Sequence, residues 1–198
     1  MESVVNQPST LSAKVDALSD IYYPRKRAFT LCKMSVEQIF QSTNKQPMSK
    51  TIVACDPGVN GGFAVQTKDG ILLFPMPESL PDMAQLLTGF KLADSHMWIE
   101  KVPKFVSKLT PASAVATLHE NYGIIQGLAY ATGYALHRVE PKVWQEPLGL
   151  GGRKACATGP EWKRKLKSKA QELYPHLDVT LGNADALLIL HYANGGGR

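Results

Sequence analysis

Paired cysteines and long hydrophobic runs are both missing from this sequence. Its 198 residues include three cysteines, at positions 32, 55 and 156, an odd number without the spacing of a metal site. This argues against a disulfide scaffold or a zinc site, and it favours free thiols in a reducing, intracellular compartment. No apolar run approaches membrane-spanning length, and the N-terminal residues lack a secretory hydrophobic segment. We therefore expect a protein without a membrane partner.

Acidic residues are outnumbered by basic ones. The sequence has 17 Asp and Glu residues and 22 Lys and Arg residues, which gives a net charge of +5 and a pI near 9.1. This excess favours a polyanionic partner such as nucleic acid. The apolar content of 44% is that of a globular protein that buries a core.

The composition divides the chain into two parts. Residues 1–49 are polar and carry a basic run, Arg25–Arg27, so we expect a disordered or loosely helical extension. Residues 50–198 have a dense pattern of alternating strands and helices, which predicts one α/β domain.

The first predicted strand ends in a single acid. The apolar run Ile52–Cys55 leads to Asp56, then come a Pro-Gly turn, a Gly pair and a second apolar run, Phe63–Val65. Apolar segments on either side of turn residues predict a β-hairpin. Asp56 lies where the strand stops being buried, so its carboxylate is both held rigidly and reachable. The glycines of the turn leave room for a phosphate or a metal ion to approach the main chain.

Two further acids occupy comparable positions. Met97–Ile99 predicts a buried strand with Glu100 at its end, and Asp185 is the sole acid in the first turn of an apolar helix predicted over 183–193. Because strand ends lie side by side in an open α/β sheet, we expect these acids to meet. Glu140 follows a fifth predicted strand and is a rival third acid, although it is more simply interpreted as a strand end.

Three carboxylates that meet need a cation between them. Asp56, Glu100 and Asp185 have no matching cluster of bases, so Mg²⁺ or Mn²⁺ is the natural occupant. Two such ions, about 3.5–4 Å apart, clamp a phosphodiester during hydrolysis. A mechanism with a nucleophilic Ser or Cys has less support, because no His is placed by the sequence to activate Cys55. No small-molecule cofactor is expected.

A basic segment follows the fifth strand. A glycine-rich, irregular stretch over 142–160 precedes a helix predicted from the sequence EWKRKLKSKAQELYP. Basic side chains next to glycines and tryptophans favour contact with a phosphate backbone. The candidate DNA-binding residues are Lys142, Arg153, Lys154, Arg164, Lys165 and Lys167.

These motifs, in this order, resemble a known family. The Asp-Pro-Gly hairpin, the strand ending in Glu, the segments YGIIQGL and VEPKVWQEPLGLGG, the basic helix ending in ELYP and the closing ADALLI helix are similar to RuvC-like Holliday-junction resolvases of the ribonuclease H superfamily. The phage and chloroplast branch is the most similar in its Pro-x-x-Trp and Leu-Tyr-Pro signals. The resemblance spans about residues 50–194. It implies an α/β fold, a mixed five-stranded sheet flanked by helices.

The resemblance also implies a site and an activity. Asp56, Glu100 and Asp185 would be ligands of Mg²⁺ or Mn²⁺, with two ions per site. Lys163 would be the catalytic lysine near the scissile phosphate, with Lys165 and Lys167 as alternatives. The implied protein is a homodimer, partly formed by the long helix with its glycines at 123 and 127. It would nick four-way DNA junctions in pairs, in the cytoplasm of a bacterial or phage-infected cell, with an organelle left open.

One position departs from the family pattern. The family has a fourth acid or a His three or four residues before the last Asp, where this chain has Gly182 and Leu181. Asn183 is the nearby polar residue, so it is the candidate for a further metal ligand.

Three alternatives stay open against a junction-cutting nuclease. An actin-like ATPase or kinase would need a second phosphate-binding hairpin and an adenosine pocket, and about 150 core residues cannot supply both halves. A non-catalytic junction-binding protein on the same fold is suggested by the missing fourth acid. A related nuclease acting on other branched DNA or on RNA–DNA hybrids would differ only in substrate.

Overall fold

A five-stranded sheet forms the centre of the chain. We describe a computed structural model, and the residues it describes are 50–104 and 110–196. The predicted extension over 1–49 lies outside these residues. The strands are β1 (Lys50–Asp56), β2 (Gly62–Thr67), β3 (Gly70–Pro75), β4 (Asp94–Glu100) and β5 (Ala135–Val139).

The sheet is mixed, with the strand order β3-β2-β1-β4-β5. The strands β1, β2 and β3 are antiparallel neighbours, so the predicted hairpin around Asp56 is confirmed. The strands β4 and β5 run parallel to β1 and extend the sheet on its other side. This is the predicted α/β fold with a mixed five-stranded sheet flanked by helices.

Five helices accompany the sheet in the described residues. The stretch over 142–160, predicted to be irregular, includes most of a short helix, Pro141–Gln145, and two 3₁₀ turns, Glu146–Leu148 and Arg153–Ala155. None of the described helices combines the length and the apolar content needed to span a bilayer. The helices are α1 (Leu80–Gly89), α2 (Ala112–Ala131), α3 (Pro141–Gln145), α4 (Gly159–Leu173) and α5 (Ala184–Ala193).

The basic helix α4 begins at a local capping signal. The side-chain oxygen of Thr158 accepts a hydrogen bond from the backbone N–H of Glu161, at 3.3 Å. The Glu161 carboxylate in turn accepts one from the backbone N–H of Ala157, at 2.9 Å. These bonds satisfy backbone donors that a helix start leaves free, and they fix where α4 emerges.

The alternation of side chains along each strand decides what each face of the sheet packs against. Ile52 and Ala54 of β1 belong to a core cluster with the apolar residues of α4 and α5. The residues between them point to the opposite face, because side chains alternate along a strand. Helix α5 packs across β1, β2 and β4. Its residues from Ala184 to Leu190 are all buried, including the acid Asp185.

Helix α2 packs less on the sheet than its small residues suggested. Only Ile125 and Ala129 of this helix are buried. A Cβ atom added at Gly123 or Gly127 would meet nothing within 4 Å in the described structure. The glycines therefore do not serve a close contact with the sheet.

Candidate functional site

The ends of β1 and β4 bring two of the three predicted acids together. In the parallel register Cys55 faces Ile99, so Asp56 and Glu100 are the next residues on two adjacent strands. Asp56 points to the same face as Ala54, and Glu100 to the same face as Trp98, because side chains alternate. Ala54 and Trp98 both pack with the cluster of α5. Both carboxylates therefore point toward the face that α5 covers.

The turn that follows β1 is built tightly around Asp56. The backbone N–H of Gly58 donates to Oδ1 of Asp56 at 3.0 Å. A Cβ atom at Gly61 would lie 2.3 Å from the carbonyl oxygen of Asp56, so only glycine fits there. The space that these glycines leave is thus taken up by Asp56 itself, which is held in one position.

The third acid enters from α5. Asp185 is 4% exposed and lies in the first turn of this helix. The turn before α5 contacts the turn after β1, since a Cβ atom at Gly182 would lie 2.9 Å from the carbonyl oxygen of Asn60. This close backbone approach explains why position 182 carries no acid, and it fixes Asp185 relative to Asp56.

Lys163 reaches the acids from α4. Its Nζ donates to Oδ2 of Asp185 and lies 3.5 Å from Oδ2 of Asp56. Of the three lysines that the sequence offered for this role, Lys163 is the one that contacts the acids. Lys165 instead donates to the carbonyl oxygen of Leu150, at 2.9 Å. Lys167 lines an open groove.

Trp144 holds Glu100 from the core side. Its indole Nε1–H donates to Oε2 of Glu100 at 2.9 Å, and the ring is fully buried. Burial and the nearby carboxylates of Asp56 and Asp185 raise the pKa of Glu100 to about 8, against the opposing effects of Trp144 and Lys163. The metal-free site therefore favours a protonated Glu100 at neutral pH.

Burial and neighbouring charges also shift the pKa values of Asp185 and Lys163. Burial raises the pKa of Asp185, and Asp56 adds to this rise, whereas Lys163 opposes it. Burial alone would lower the pKa of Lys163, but its two carboxylate partners outweigh that effect, and the net direction is upward. Lys163 is therefore charged in this site.

The donor set suits a hard divalent cation. Carboxylate oxygens are the ligands that Mg²⁺ and Mn²⁺ prefer. Oδ1 of Asp185 is buried and has no hydrogen-bond partner in the described structure, so it is a free acceptor inside the cluster. As they stand, no three His, Cys, Asp or Glu side chains among the described residues form a ready metal-holding group. The residues fit such an ion chemically, and the metal assignment stays a prediction.

Asn183, the predicted additional ligand, is engaged elsewhere. Its Oδ1 accepts from the backbone N–H of Thr180 at 2.7 Å, and its Nδ2 donates to the carbonyl oxygen of Asp178 at 3.2 Å. These bonds close the turn before α5. Glu140, the rival third acid, is exposed and pairs with Lys101 at 2.8 Å.

The six candidate DNA-binding residues lie on α3, on the second 3₁₀ turn and on α4. Lys167 is half-buried and the other five are exposed. Arg153 donates to the carbonyl oxygen of Cys156, so it and Lys165 also order the glycine-rich loop. An open groove of about 740 Å³ beside α4 is lined by Arg164, Lys167, Ser168, Gln171, Glu172 and Leu181.

A second titratable cluster lies at the opposite end of β4. His96 Nε2 is 3.0 Å from Oδ1 of Asp94, and His96 Nδ1 is 3.0 Å from Nε2 of His137. An ionised carboxylate only accepts, so Nε2–H of His96 donates to Asp94 and leaves Nδ1 to accept from His137. The His137 ring stacks on Trp98, with centroids 4.6 Å apart. Apart from the residue types, no sequence pattern indicates this cluster.

Sequence reasoning missed Trp144 as a partner of Glu100. In the sequence, Trp144 stands out as an aromatic neighbour of the basic segment and as part of the Pro-x-x-Trp signal, and neither feature indicates a role at the acids. One signal for this contact was available. Pro141 begins a short helix directly after β5, the strand parallel to β4, and Trp144 lies three residues further on.

Comparisons with known proteins give structural likeness only. No protein-family profile and no curated protein sequence matches the chain. Its structure is similar to one of RuvC from Thermus thermophilus in complex with a Holliday junction substrate, with 14% identity, a TM-score of 0.49, and coverage of 75% of this chain and 97% of that one. A second RuvC structure from Thermus thermophilus has 17% identity, a TM-score of 0.47, and coverage of 74% and 97%. Neither the family of this chain nor its reaction follows from likeness at this level.

Proposed function

We propose that this protein is a metal-dependent endodeoxyribonuclease that resolves four-way DNA junctions by paired hydrolysis of phosphodiester bonds. The observation that carries this proposal is the meeting of Asp56, Glu100 and Asp185 on one face of the sheet, next to the basic helix α4. Buried carboxylates with an unpartnered oxygen call for a cation, and the basic surface beside them suits a polyanionic substrate.

Each residue of the site has a distinct task in this proposal. Asp56, Glu100 and Asp185 would hold Mg²⁺ or Mn²⁺, with two ions per site, and Asn183 would support Asp185 by closing the turn before it. When bound, the metal supplies activated water and stabilises charge on the phosphate oxygens. Trp144 orients the Glu100 carboxylate through its indole N–H. Lys163 offers an ammonium group at the mouth of the site, where the scissile phosphate would lie.

The surrounding basic residues would position the DNA. Lys142, Arg153, Lys154, Arg164, Lys165 and Lys167 would contact phosphates, which fixes the register of the substrate without reading its sequence. The glycine-rich loop between α3 and α4 carries two of them, at 153 and 154. The groove beside α4 offers a path for one strand.

The remaining features of the proposal come from the family resemblance. We place the chain with the phage and chloroplast branch because of the Pro-x-x-Trp signal that ends at Trp144 and the Leu-Tyr-Pro signal after α4. We place the protein in the cytoplasm of a bacterial or phage-infected cell. Residues 50–198 would be the nuclease domain, so a chain that lacks residues 1–47 should remain folded.

The exposed face of α2 is the proposed dimer surface. Gly123 and Gly127 are exposed with open space around them, and Tyr130 is 57% exposed. Small residues let a second helix approach closely, and paired nicks need two active sites. Light scattering would test this: Gly127→Arg should convert a dimer into a monomer, whereas a wild-type monomer would contradict the proposal.

A cleavage assay tests the proposed function directly. A synthetic four-way junction and a linear duplex of matched sequence are incubated with Mg²⁺, Mn²⁺ or EDTA. Paired nicks on the junction alone, lost in EDTA, are the expected result. A flap, a replication fork and an RNA–DNA hybrid serve as competing substrates. If any of these is cleaved faster than the junction, that structure and not the junction is the preferred substrate.

A non-catalytic junction-binding protein is the second candidate. Gly182, which stands where the family has a fourth acid, favours it, because its backbone contact with Asn60 leaves no room for a ligand there. Tight junction binding without cuts in either metal would support this candidate over the nuclease.

A further inference from the structure

Lys163 occupies the position between two of the acids. Its Nζ donates to Oδ2 of Asp185 and lies 3.5 Å from Oδ2 of Asp56. Among the residues that the structure describes, it is the only basic side chain paired with either carboxylate. The ammonium group is therefore the counter-ion of both acids in the metal-free protein.

One ammonium group is too little for this cluster. The carboxylates of Asp56 and Asp185 share it, and the buried Oδ1 of Asp185 has no hydrogen-bond partner in the described structure. Buried carboxylate oxygens are costly when unpaired, so the arrangement would gain from a cation with two charges. A divalent ion and the ammonium group cannot both occupy the space between Asp56 and Asp185 without strong repulsion.

The two sides of this contact differ in their freedom to move. The side chains of Asp56 and Asp185 are 12% and 6% exposed, and each is held at the end of a packed element. The side chain of Lys163 is 46% exposed. Its helix is anchored through its buried neighbours Trp162 and Leu166. The flexible stem of Lys163 can therefore swing toward solvent while α4 and both acids stay in place.

We propose that Lys163 is an exchangeable internal counter-ion, which holds the acids together in the metal-free protein and swings out when a divalent cation binds. Lys163 thus sets the metal affinity of the site. This inference rests on the proposed function, because it requires that the acids bind Mg²⁺ or Mn²⁺.

Metal binding without substrate provides the first test. Titration calorimetry with Mn²⁺ compares the wild type with Lys163→Met, which keeps an unbranched side chain only one atom shorter and removes the charge. Because a hydrogen-bonded ion pair no longer has to be broken, we expect affinity for Mn²⁺ to rise by roughly tenfold in this variant. Lys167→Met removes the same charge one turn further along α4 and should leave the affinity close to that of the wild type. Equal or weaker binding in Lys163→Met would overturn the proposal.

Labelling of the wild-type protein provides a test that does not depend on a variant. An amine-reactive reagent is applied with and without saturating Mn²⁺, and the modification of each lysine is read by mass spectrometry. We expect labelling of Lys163 to increase severalfold with Mn²⁺, because its ammonium group leaves the acids, whereas Lys165 and Lys167 should change little. Unchanged or reduced labelling of Lys163 in Mn²⁺ would overturn the proposal.

The outcomes separate this inference from the proposed function. If the wild type and Lys163→Met bind Mn²⁺ equally, and labelling does not change, the counter-ion exchange is wrong while the metal-dependent nuclease remains supported. If neither protein binds Mn²⁺ and no cleavage occurs, both the exchange and the proposed function are wrong. A melting curve of each variant in EDTA confirms that it is folded before its titration is interpreted.

Discussion

The two ends of β4 carry titratable side chains in opposite situations. At the C-terminal end Glu100 meets other carboxylates, and acceptor oxygens exceed the donors near them. At the N-terminal end Asp94, His96 and His137 form a chain in which each contact pairs a donor with an acceptor. Both ends are on the same strand and face of the sheet. Unbalanced charge at one end, and not the mere presence of ionisable groups, is what indicates a ligand site.

The largest difference between the two ends of β4 should appear in junction cleavage when a carboxylate is removed from one end or the other. Asp56→Asn should lower junction cleavage by about 1,000-fold or more, because metal ligation supplies several kcal/mol of transition-state stabilisation. Junction binding should persist or tighten, since a repulsive carboxylate is lost. Asp94→Asn removes a carboxylate from the other end of β4 and should cleave normally. A cleavage time course on a labelled junction measures both, and wild-type rates in Asp56→Asn would refute the metal-site assignment.

A backbone contact, and not only charge, holds the acid end together. Gly182→Ala should lower the free energy of unfolding by about 1–3 kcal/mol, because its Cβ atom would lie 2.9 Å from the carbonyl oxygen of Asn60. Gly159→Ala is a matched control, since its Cβ atom would have an ordinary contact distance of 3.8 Å. Urea denaturation distinguishes them. Equal midpoints would mean that the two turns are free to separate.

The pH dependence of stability should differ in sign between the two ends. Glu100 binds a proton in the folded protein up to a pKa of about 8, whereas the unfolded chain releases it near 4.5. The folded state therefore holds more protons between these values, and stability falls as pH rises through this window. In EDTA, Glu100→Gln should remove this loss and be more stable than the wild type at pH 8.5 by about 1–2 kcal/mol. Denaturation at pH 5.5 and 8.5 measures the free energy of unfolding of both proteins. The same change with pH in the wild type and the variant would argue against a buried, protonated Glu100.

The histidine end should show a smaller effect in the other direction. Burial, His96 and Lys50 lower the pKa of His137, so the unfolded chain takes up a proton before the folded protein does as pH falls below 6.5. Stability is therefore lost toward acid pH, by less than about 1 kcal/mol at this partly exposed position. His137→Phe keeps a ring against Trp98 and should remove that acid loss. Stability is measured at pH 7.5 and 5.5. If the variant loses as much stability as the wild type between these values, a group other than His137 causes the loss.

The parts of the site that follow from local pattern were predictable from the sequence. Asp56 and Glu100 stand at the ends of apolar runs, and those runs became β1 and β4 with boundaries a few residues longer than expected. Asp185 was identifiable as a single acid in an apolar helix. Lys163 was a different case, because the family resemblance and not the local pattern implied it, and the structure brings its Nζ to the acids.

The parts that depend on contacts between distant segments were not predictable. Gly182 and Asn60 are far apart in the chain, and nothing in either local pattern indicates that their backbones touch. The same holds for Trp144, whose indole reaches a carboxylate 44 residues away. The exposure of α2 was not predictable for a different reason. Its small residues suit contact with a sheet and contact with a partner equally well, so composition could not choose between them.

Trp144 also makes the site visible to spectroscopy. Its ring is fully buried while its N–H bonds to Glu100, so the surroundings of this fluorophore change whenever that carboxylate gains a proton or a cation. The chain has two other tryptophans, Trp98 and Trp162, and Phe in their place would leave Trp144 as the single tryptophan. Its emission would then follow occupancy of the acid cluster in real time, without a label and without a substrate. The packing that orients the carboxylate thus gives the protein an intrinsic optical sensor of its own electrostatics.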